Sequence, residues 1–122
     1  MGQITRSLLF EGAKFQLFEI VVDGRHLVQE FVDGLSESEQ KKLVALLRRT
    51  ADHGPPNNTE QFKKLADDLF EFKSFQVRIF CAFRGKSILV LTHGIKKKKD
   101  KHSKQDMDKA RELLRALDGR KG

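Results

Sequence analysis

The sequence predicts an α+β fold in which a small antiparallel sheet packs with helices. Three short runs with strand-like patterns follow one another between residues 69 and 93, and amphipathic helical patterns lie before and after them. A chain of 122 residues is long enough for one domain with a modest core. We expect that domain to span residues 15–118. Residues 1–14 show no clear period, so we expect them to form a loosely ordered extension.

The first elements of the domain are predicted to be a strand and a short helix. Residues 15–22 are expected to form the strand, which ends at Asp23-Gly24. Apolar residues then recur at three- and four-residue spacing, which predicts an amphipathic helix over residues 25–34.

A second helix is predicted from its capping residues. Ser36 and Glu39 have the spacing of a capping box, and the helix that they open runs to about Asp52. Glycine and proline end it, so the two helices form an N-terminal hairpin. We expect Thr59 to cap a short helical turn over residues 62–65.

The predicted sheet is a three-stranded antiparallel meander beside the N-terminal strand. Residues 69–73 and 77–83 alternate with a period of two and are separated by a tight connection. Gly85 lies in the next turn, and residues 87–93 are apolar on both faces, as in a covered central strand. One face of the meander is predicted to gather four side chains: Glu71, Lys73, Arg78 and Phe80.

The positive charge of the chain is concentrated after the meander. Residues 1–93 contain 13 basic and 12 acidic residues, whereas residues 94–122 contain 11 and 5. This asymmetry predicts a polyanionic partner, with nucleic acid as the first candidate. The alternative is a solvated, charged loop. Six lysines of this segment form a lysine block: Lys96, Lys97, Lys98, Lys99, Lys101 and Lys104.

A last helix is predicted after the lysine block. Ser103 is expected to cap it. Its apolar stripe consists of Met107, Ala110, Leu113, Leu114 and Leu117.

Composition argues against several classes of function. A single cysteine, Cys81, cannot form an internal disulfide and is expected to be a small buried hydrophobe. Four scattered histidines offer no paired spacing for zinc, so we expect neither a metal nor another cofactor. No run is long and apolar enough to span a membrane, and we expect a cytoplasmic protein.

The predicted face of the meander carries residues suited to phosphodiester chemistry. Glu71, Lys73 and Arg78 place one acid beside two cations, which could provide acid–base catalysis and stabilise charge at phosphorus. The structural alternative is an ion pair between Glu71 and Arg78, with Arg78 half-exposed. Phe80 could stack a nucleobase or belong to a second core. His93 ends the central strand and could act as an acid or a base, or have only a structural role.

Four stretches of the chain, in this order, resemble the RelE/HigB superfamily of type II toxins, in particular its phage-protein-like HigB branch: FKKLADDLFEFK, VRIFCAF, ILVLTHGIKKKKDK and DKARELL. The likeness covers about residues 15–117, and the order and spacing of the stretches are more specific than any one of them. The family often has a tyrosine where Cys81 stands, and this chain has no tyrosine.

The resemblance implies a RelE-like fold and a metal-independent endoribonuclease that cuts mRNA in the ribosomal A site. It also implies a cognate antitoxin, commonly a helix-turn-helix protein of the HigA type. Both the resemblance and the residues leave open whether Glu71 or His93 is the base. The candidate catalytic residues are Arg78, Glu71, Lys73, His93 and Lys97, and the candidate RNA-binding residues are Lys96, Lys98, Lys99, Lys101 and Phe80. Of these, the resemblance to the family matches Glu71, Lys73, Arg78, Lys96 and Lys97, and the others are candidates from their residue type and position. A non-catalytic RNA- or ribosome-binding module is the alternative. A third is a structural or phage-encoded interaction protein whose basic tail only keeps it soluble.

Overall fold

The computed structural model describes residues 2–97 and 104–119. Within these residues the chain forms a mixed sheet and helices, so the α+β class is confirmed. None of the helices in this part of the chain is long and apolar enough to cross a membrane. The elements are β1 (Ile4–Glu11), β2 (Gln16–Val22), β3 (Arg25–His26), α1 (Leu27–Asp33), α2 (Glu37–His53), β4 (Phe62–Ala66), β5 (Leu69–Ser74), β6 (Val77–Phe83), β7 (Ile88–Lys96) and α3 (Lys104–Gly119).

The predicted meander forms the centre of the sheet. The strand order is β1-β2-β7-β6-β5-β4, with the short β3 paired to β2. Strands β5, β6 and β7 pair antiparallel, as predicted. Strand β2 lies parallel to β7, so the sheet is mixed and larger than the antiparallel sheet that was expected.

The N-terminal segment is a strand, and the prediction of a loose extension was wrong. β1 pairs antiparallel with β2 along its whole length, and Ile4 is buried. The register shifts between Leu8 and Phe10, which is a β-bulge. Because a bulge adds one residue to the strand, it interrupts the two-residue period by which the strand would have been recognised.

The predicted helical turn after Thr59 is also wrong, because β4 occupies this region and pairs with β5 at an edge of the sheet. The ring centroids of Phe62 and Phe70 lie 5.3 Å apart in a stacked pair. Lys63 and Lys64 are exposed, which suits an edge strand, where charges discourage pairing with other chains. The same order of apolar and charged residues fits one helical turn, so the local sequence does not distinguish a short strand from a helical turn here.

The helices begin at capping groups. The buried carboxylate of Glu19 accepts hydrogen bonds from the backbone N–H groups of Val28 and Gln29 at the start of α1, at 3.1 and 3.0 Å. The capping box of α2 is confirmed, because Ser36 and Glu39 each accept from the other's backbone N–H through their side chains. The helix ends at His53, one residue beyond the predicted end.

The sheet separates two cores, so the fold has three layers. Helices α1 and α2 cover one face, and buried side chains of α2 pack there with alternate residues of β5, β6 and β7. Helix α3 covers the other face through Ala110, Leu113 and Leu114. The predicted cap of α3, Ser103, lies outside the described residues. The position of α3 matters for function because the candidate site lies on its side of the sheet.

The turn between β1 and β2 is held against the end of α2. The carbonyl of Ala51 accepts from the N–H groups of Lys14 and Phe15, at 3.0 and 2.8 Å. A Cβ atom added to Gly12 would lie 2.3 Å from the Ala51 carbonyl carbon, so a side chain at Gly12 must displace helix backbone.

We therefore expect Gly12→Ala to lower the free energy of unfolding by about 1–3 kcal/mol, as overpacking typically does. Gly119→Ala is the matched control, because a Cβ at Gly119 would meet nothing within 4 Å. Denaturant unfolding of both variants measures the difference. Equal stability of the two would show that the N-terminal turn is not held against α2.

Candidate functional site

The β5–β6 hairpin brings the predicted site residues together. In the observed register Glu71 pairs with Phe80, and Lys73 pairs with Arg78. Directly opposed residues of an antiparallel pair project from the same face of the sheet. The four residues therefore share one face, as the alternation in the sequence predicted.

That face is the one covered by α3. Val77, Ile79 and Cys81 belong to the core under the helical hairpin. The intervening Phe80 belongs to the core under α3. Because strand side chains alternate, Arg78 and its partners Lys73 and Glu71 lie on the α3 side.

The Glu71–Arg78 pair is buried, which contradicts the expectation that Arg78 is half-exposed. Glu71 is 0% exposed and Arg78 is 5% exposed. The Arg78 Nε atom lies 3.8 Å from Glu71 Oε1. The Arg78 Nη1 group donates to the backbone carbonyls of Phe75 and Val77. The arginine thus links the carboxylate to the turn at the tip of the hairpin.

The environment of Glu71 favours a protonated carboxyl more than water does. Burial raises the pKa of Glu71 above its ordinary value of 4.5, and the nearby charges of Arg78, Lys73, Lys97 and Lys63 oppose that rise. Because the effect of burial exceeds that of the cations, Glu71 holds its proton more readily than a carboxyl in water.

His93 lies in a β-bulge of β7, on the strand next to β6. The register shifts between Ile79 and Cys81, and the imidazole stacks on Phe80 with ring centroids 4.9 Å apart. Burial lowers the pKa of His93 to about 4, with a further contribution from Lys109 and opposition from Asp106. His93 is therefore neutral at pH 7. Within residues 2–97 and 104–119, no hydrogen-bond partner is found for its Nε2 atom.

Phe80 is a core residue in this structure. Its ring is 0% exposed and packs in the α3 core against His93. The second-core alternative therefore describes Phe80, and the ring offers no open face for stacking a nucleobase.

The structure separates the two lysines at the end of β7. Lys96 Nζ lies 3.1 Å from Glu39 Oε2, at the N-terminus of α2 and on the helical-hairpin side. The Lys97 amine is buried, and its charge acts on Glu71. Lys97 thus joins the candidate site, whereas Lys96 pairs with a different carboxylate. The predicted RNA-binding residues Lys98, Lys99 and Lys101 lie outside the described residues.

The arrangement of possible metal ligands is sparse. In the part of the chain that the structure describes, no three His, Cys, Asp or Glu residues are grouped so that they could hold a metal ion. Cys81 is fully buried, and burial together with Glu71 raises the pKa of its thiol. Cys81 is thus the small buried hydrophobe that its position in the strand predicted.

The model of the family described as "Phage derived protein Gp49-like (DUF891)" matches residues 30–115, more than half of the chain. The chain therefore belongs to this family. The family is toxin-like and related to RelE/HigB, so the resemblance is confirmed at this broader level. A comparison with curated proteins found no significant match.

We expect Arg78→Ala to lower the free energy of unfolding by about 3–5 kcal/mol at pH 7, because it removes a buried cation that lies 3.8 Å from a buried carboxylate. The loss should be smaller at pH 5, where Glu71, whose pKa is raised, is more easily protonated. Adding Glu71→Gln should recover part of the loss. The measurement is denaturant unfolding of the single and double variants.

Arg115→Ala is the control, because Arg115 is exposed on α3 and should change stability by less than about 0.5 kcal/mol. If Arg78→Ala and Arg115→Ala have the same small effect, the buried pair does not organise this face of the sheet.

Proposed function

We propose that this protein is the toxin of a type II toxin–antitoxin system and a ribosome-dependent mRNA endonuclease. The observation that carries the proposal is one buried carboxyl, with a raised pKa, under the influence of four cations on one face of the sheet. This combination suits proton transfer next to a phosphate, where cations stabilise the charge that develops. Membership in a toxin-like family supports the same conclusion.

The proposed reaction needs only groups of the protein and the RNA. A base removes the proton of a ribose 2′-OH, and the oxygen attacks the adjacent phosphorus. The bond to the 5′ oxygen breaks, and an acid protonates that oxygen, which leaves a 2′,3′-cyclic phosphate and a 5′-OH. Arg78 would hold the phosphate, with Lys73 and Lys97 assisting.

Two groups are candidates for the proton transfers. His93 is neutral at pH 7 because its pKa is about 4. It can therefore accept a proton, but it carries no extra proton to donate. Glu71 has a raised pKa, so it could act as the general base or as the general acid. We assign the role of base to one of these two residues. The pH dependence of the cleavage rate shows which of them it is.

Burial has a consequence for this mechanism. Glu71 and Arg78 have almost no exposed surface, so a substrate phosphate reaches them only if the packing on the α3 side opens when the protein binds. A requirement of this kind would agree with activity that depends on the ribosome.

The same burial favours a second candidate function, a non-catalytic module that binds RNA or the ribosome. In that case Glu71 and Arg78 form a static ion pair within the protein. Surface lysines would then provide the contacts to phosphate.

Induced expression in bacteria tests the proposal. We expect growth to stop and primer extension to show cuts within translated codons. Arg78→Lys keeps the charge but loses the planar donor pair, so it should slow single-turnover cleavage by roughly 100- to 1000-fold, while ribosome binding changes little. Arg115→Lys, at an exposed position of α3, is the matched control.

Co-expression of an adjacent gene that encodes a helix-turn-helix protein should restore growth and yield a complex that co-purifies. Ribosome binding without any cuts would favour the non-catalytic module. Equal cutting of naked RNA would contradict dependence on the ribosome, and harmless expression without a bound neighbour would contradict the toxin–antitoxin proposal as a whole.

A further inference from the structure

The tip of the β5–β6 hairpin carries an exposed aromatic residue. Phe75 is 70% exposed, and among the described residues the only other exposed large hydrophobic side chain is Leu8, at 44%. Phe75 also has a φ of 56°, in the left-handed region. Bulky residues seldom adopt this conformation, whereas glycine and asparagine adopt it readily.

A phenylalanine at this position contributes little to the stability of the fold. Its ring is not buried, and its backbone conformation costs free energy that a glycine or an asparagine would not require. The use of the side chain must therefore be sought on the surface around it.

That surface is a positively charged groove of about 430 Å³ between α2 and β5. Lys42 and Arg49 of α2 line it, with Glu60 as its acidic residue. The Lys42 Nζ atom lies 4.4 Å from the centroid of the Phe75 ring. The carbonyl of Phe75 accepts a hydrogen bond from Arg78, so the exposed ring is tied directly to the residue proposed to hold the reacting phosphate.

We propose that Phe75 is a stacking platform for an unpaired base of single-stranded RNA, and that Lys42 and Arg49 hold an adjacent phosphate of the same strand. An aromatic ring beside cations is the usual combination for binding single-stranded nucleic acid without reading its sequence. The inference rests on the proposed function and adds a second RNA subsite at the hairpin tip, in a groove that Lys73 also lines.

An acidic protein segment is the competing occupant, and the groove suits it less well. A peptide helix that docks in a groove needs several apolar anchors along one face. Here the exposed apolar contribution is concentrated in one ring. The polar residues of the lining are Lys42, Arg49, Glu60, Gln61, Lys73 and Ser74. A single ring is enough for a nucleobase.

The composition of the chain permits a direct test, because it contains no tryptophan and no tyrosine. Phe75→Trp therefore introduces the sole tryptophan, whose fluorescence reports on stacking. The probe is a short 2′-O-methyl RNA oligonucleotide, which cannot be cleaved by attack of a 2′-OH. We expect it to quench the fluorescence at a saturable concentration, and we expect the same oligonucleotide with abasic sites to quench much less.

Leu8→Trp is the matched control, because it places a tryptophan at the other exposed hydrophobic position, on β1. It should show little quenching by either oligonucleotide. Phe75→Asn should weaken binding of the oligonucleotide by roughly 5- to 150-fold, as expected for the loss of one stacked base. Its melting temperature should not fall, because asparagine tolerates the left-handed backbone. Arg49→Ala should reduce the slope of log affinity against log salt by about 0.7.

Three results would overturn the inference: equal quenching by the abasic oligonucleotide, equal quenching at positions 8 and 75, or stronger quenching by an acidic peptide than by RNA. The last would assign the groove to a protein partner. These outcomes are separate from a failure of the proposed function, which is measured by growth arrest and by cleavage. If the wild type cleaves RNA but the oligonucleotide does not quench the tryptophan at position 75, the proposed function stands and the second RNA subsite is contradicted.

Discussion

The buried contact between Glu71 and Arg78 is the constraint on which the α3 side of this structure depends. A carboxylate without exposed surface is costly unless cations and donors compensate it, and here Arg78, Lys73, Lys97 and Lys63 provide the opposing charge. The requirement joins three strands, because Lys63 lies on β4, Lys73 on β5 and Arg78 on β6. It also joins the end of β7 to the hairpin, since Lys97 follows that strand. A charged cluster of this kind is expensive for a small domain, and proteins commonly keep such clusters for function.

Much of the fold could be predicted because its signals are local. The capping box at Ser36 and Glu39 is a spacing of three residues, and the alternation in β6 is visible in seven consecutive residues. The pairing of Lys73 with Arg78 follows from a two-residue connection, which leaves little choice of register. The errors occurred where local signals were interrupted or ambiguous: a bulge hid β1, and β4 has the pattern of a helical turn.

Less of the site could be predicted, because burial and facing depend on distant parts of the chain. Alternation placed Arg78 opposite the main core, but it could not show that α3 builds a second core there and covers the arginine. For the same reason the sequence leaves open whether Phe80 stacks a nucleobase or belongs to a second core, and the structure shows it packed against His93. Lys96 and Lys97 are adjacent in sequence, yet the structure directs one to Glu39 and the other to Glu71. The exposed Phe75 had a signal in the sequence, since the tip of a tight hairpin points to solvent, but its left-handed backbone is visible only in the structure.

The most direct measurement of the central claim is the titration of Glu71, followed by ¹³C NMR of its side-chain carboxyl. Burial should raise the pKa of Glu71 above 4.5, whereas that of Glu39, which accepts hydrogen bonds from Ser36 and lies near Lys96, should be below 4.5 in the same spectra. Arg78→Lys, which moves the charge without removing it, should change the pKa of Glu71 and leave that of Glu39 unchanged. A Glu71 pKa at or below that of Glu39 would contradict the account, because the carboxylate would then be a well-compensated ion pair with no tendency to hold a proton.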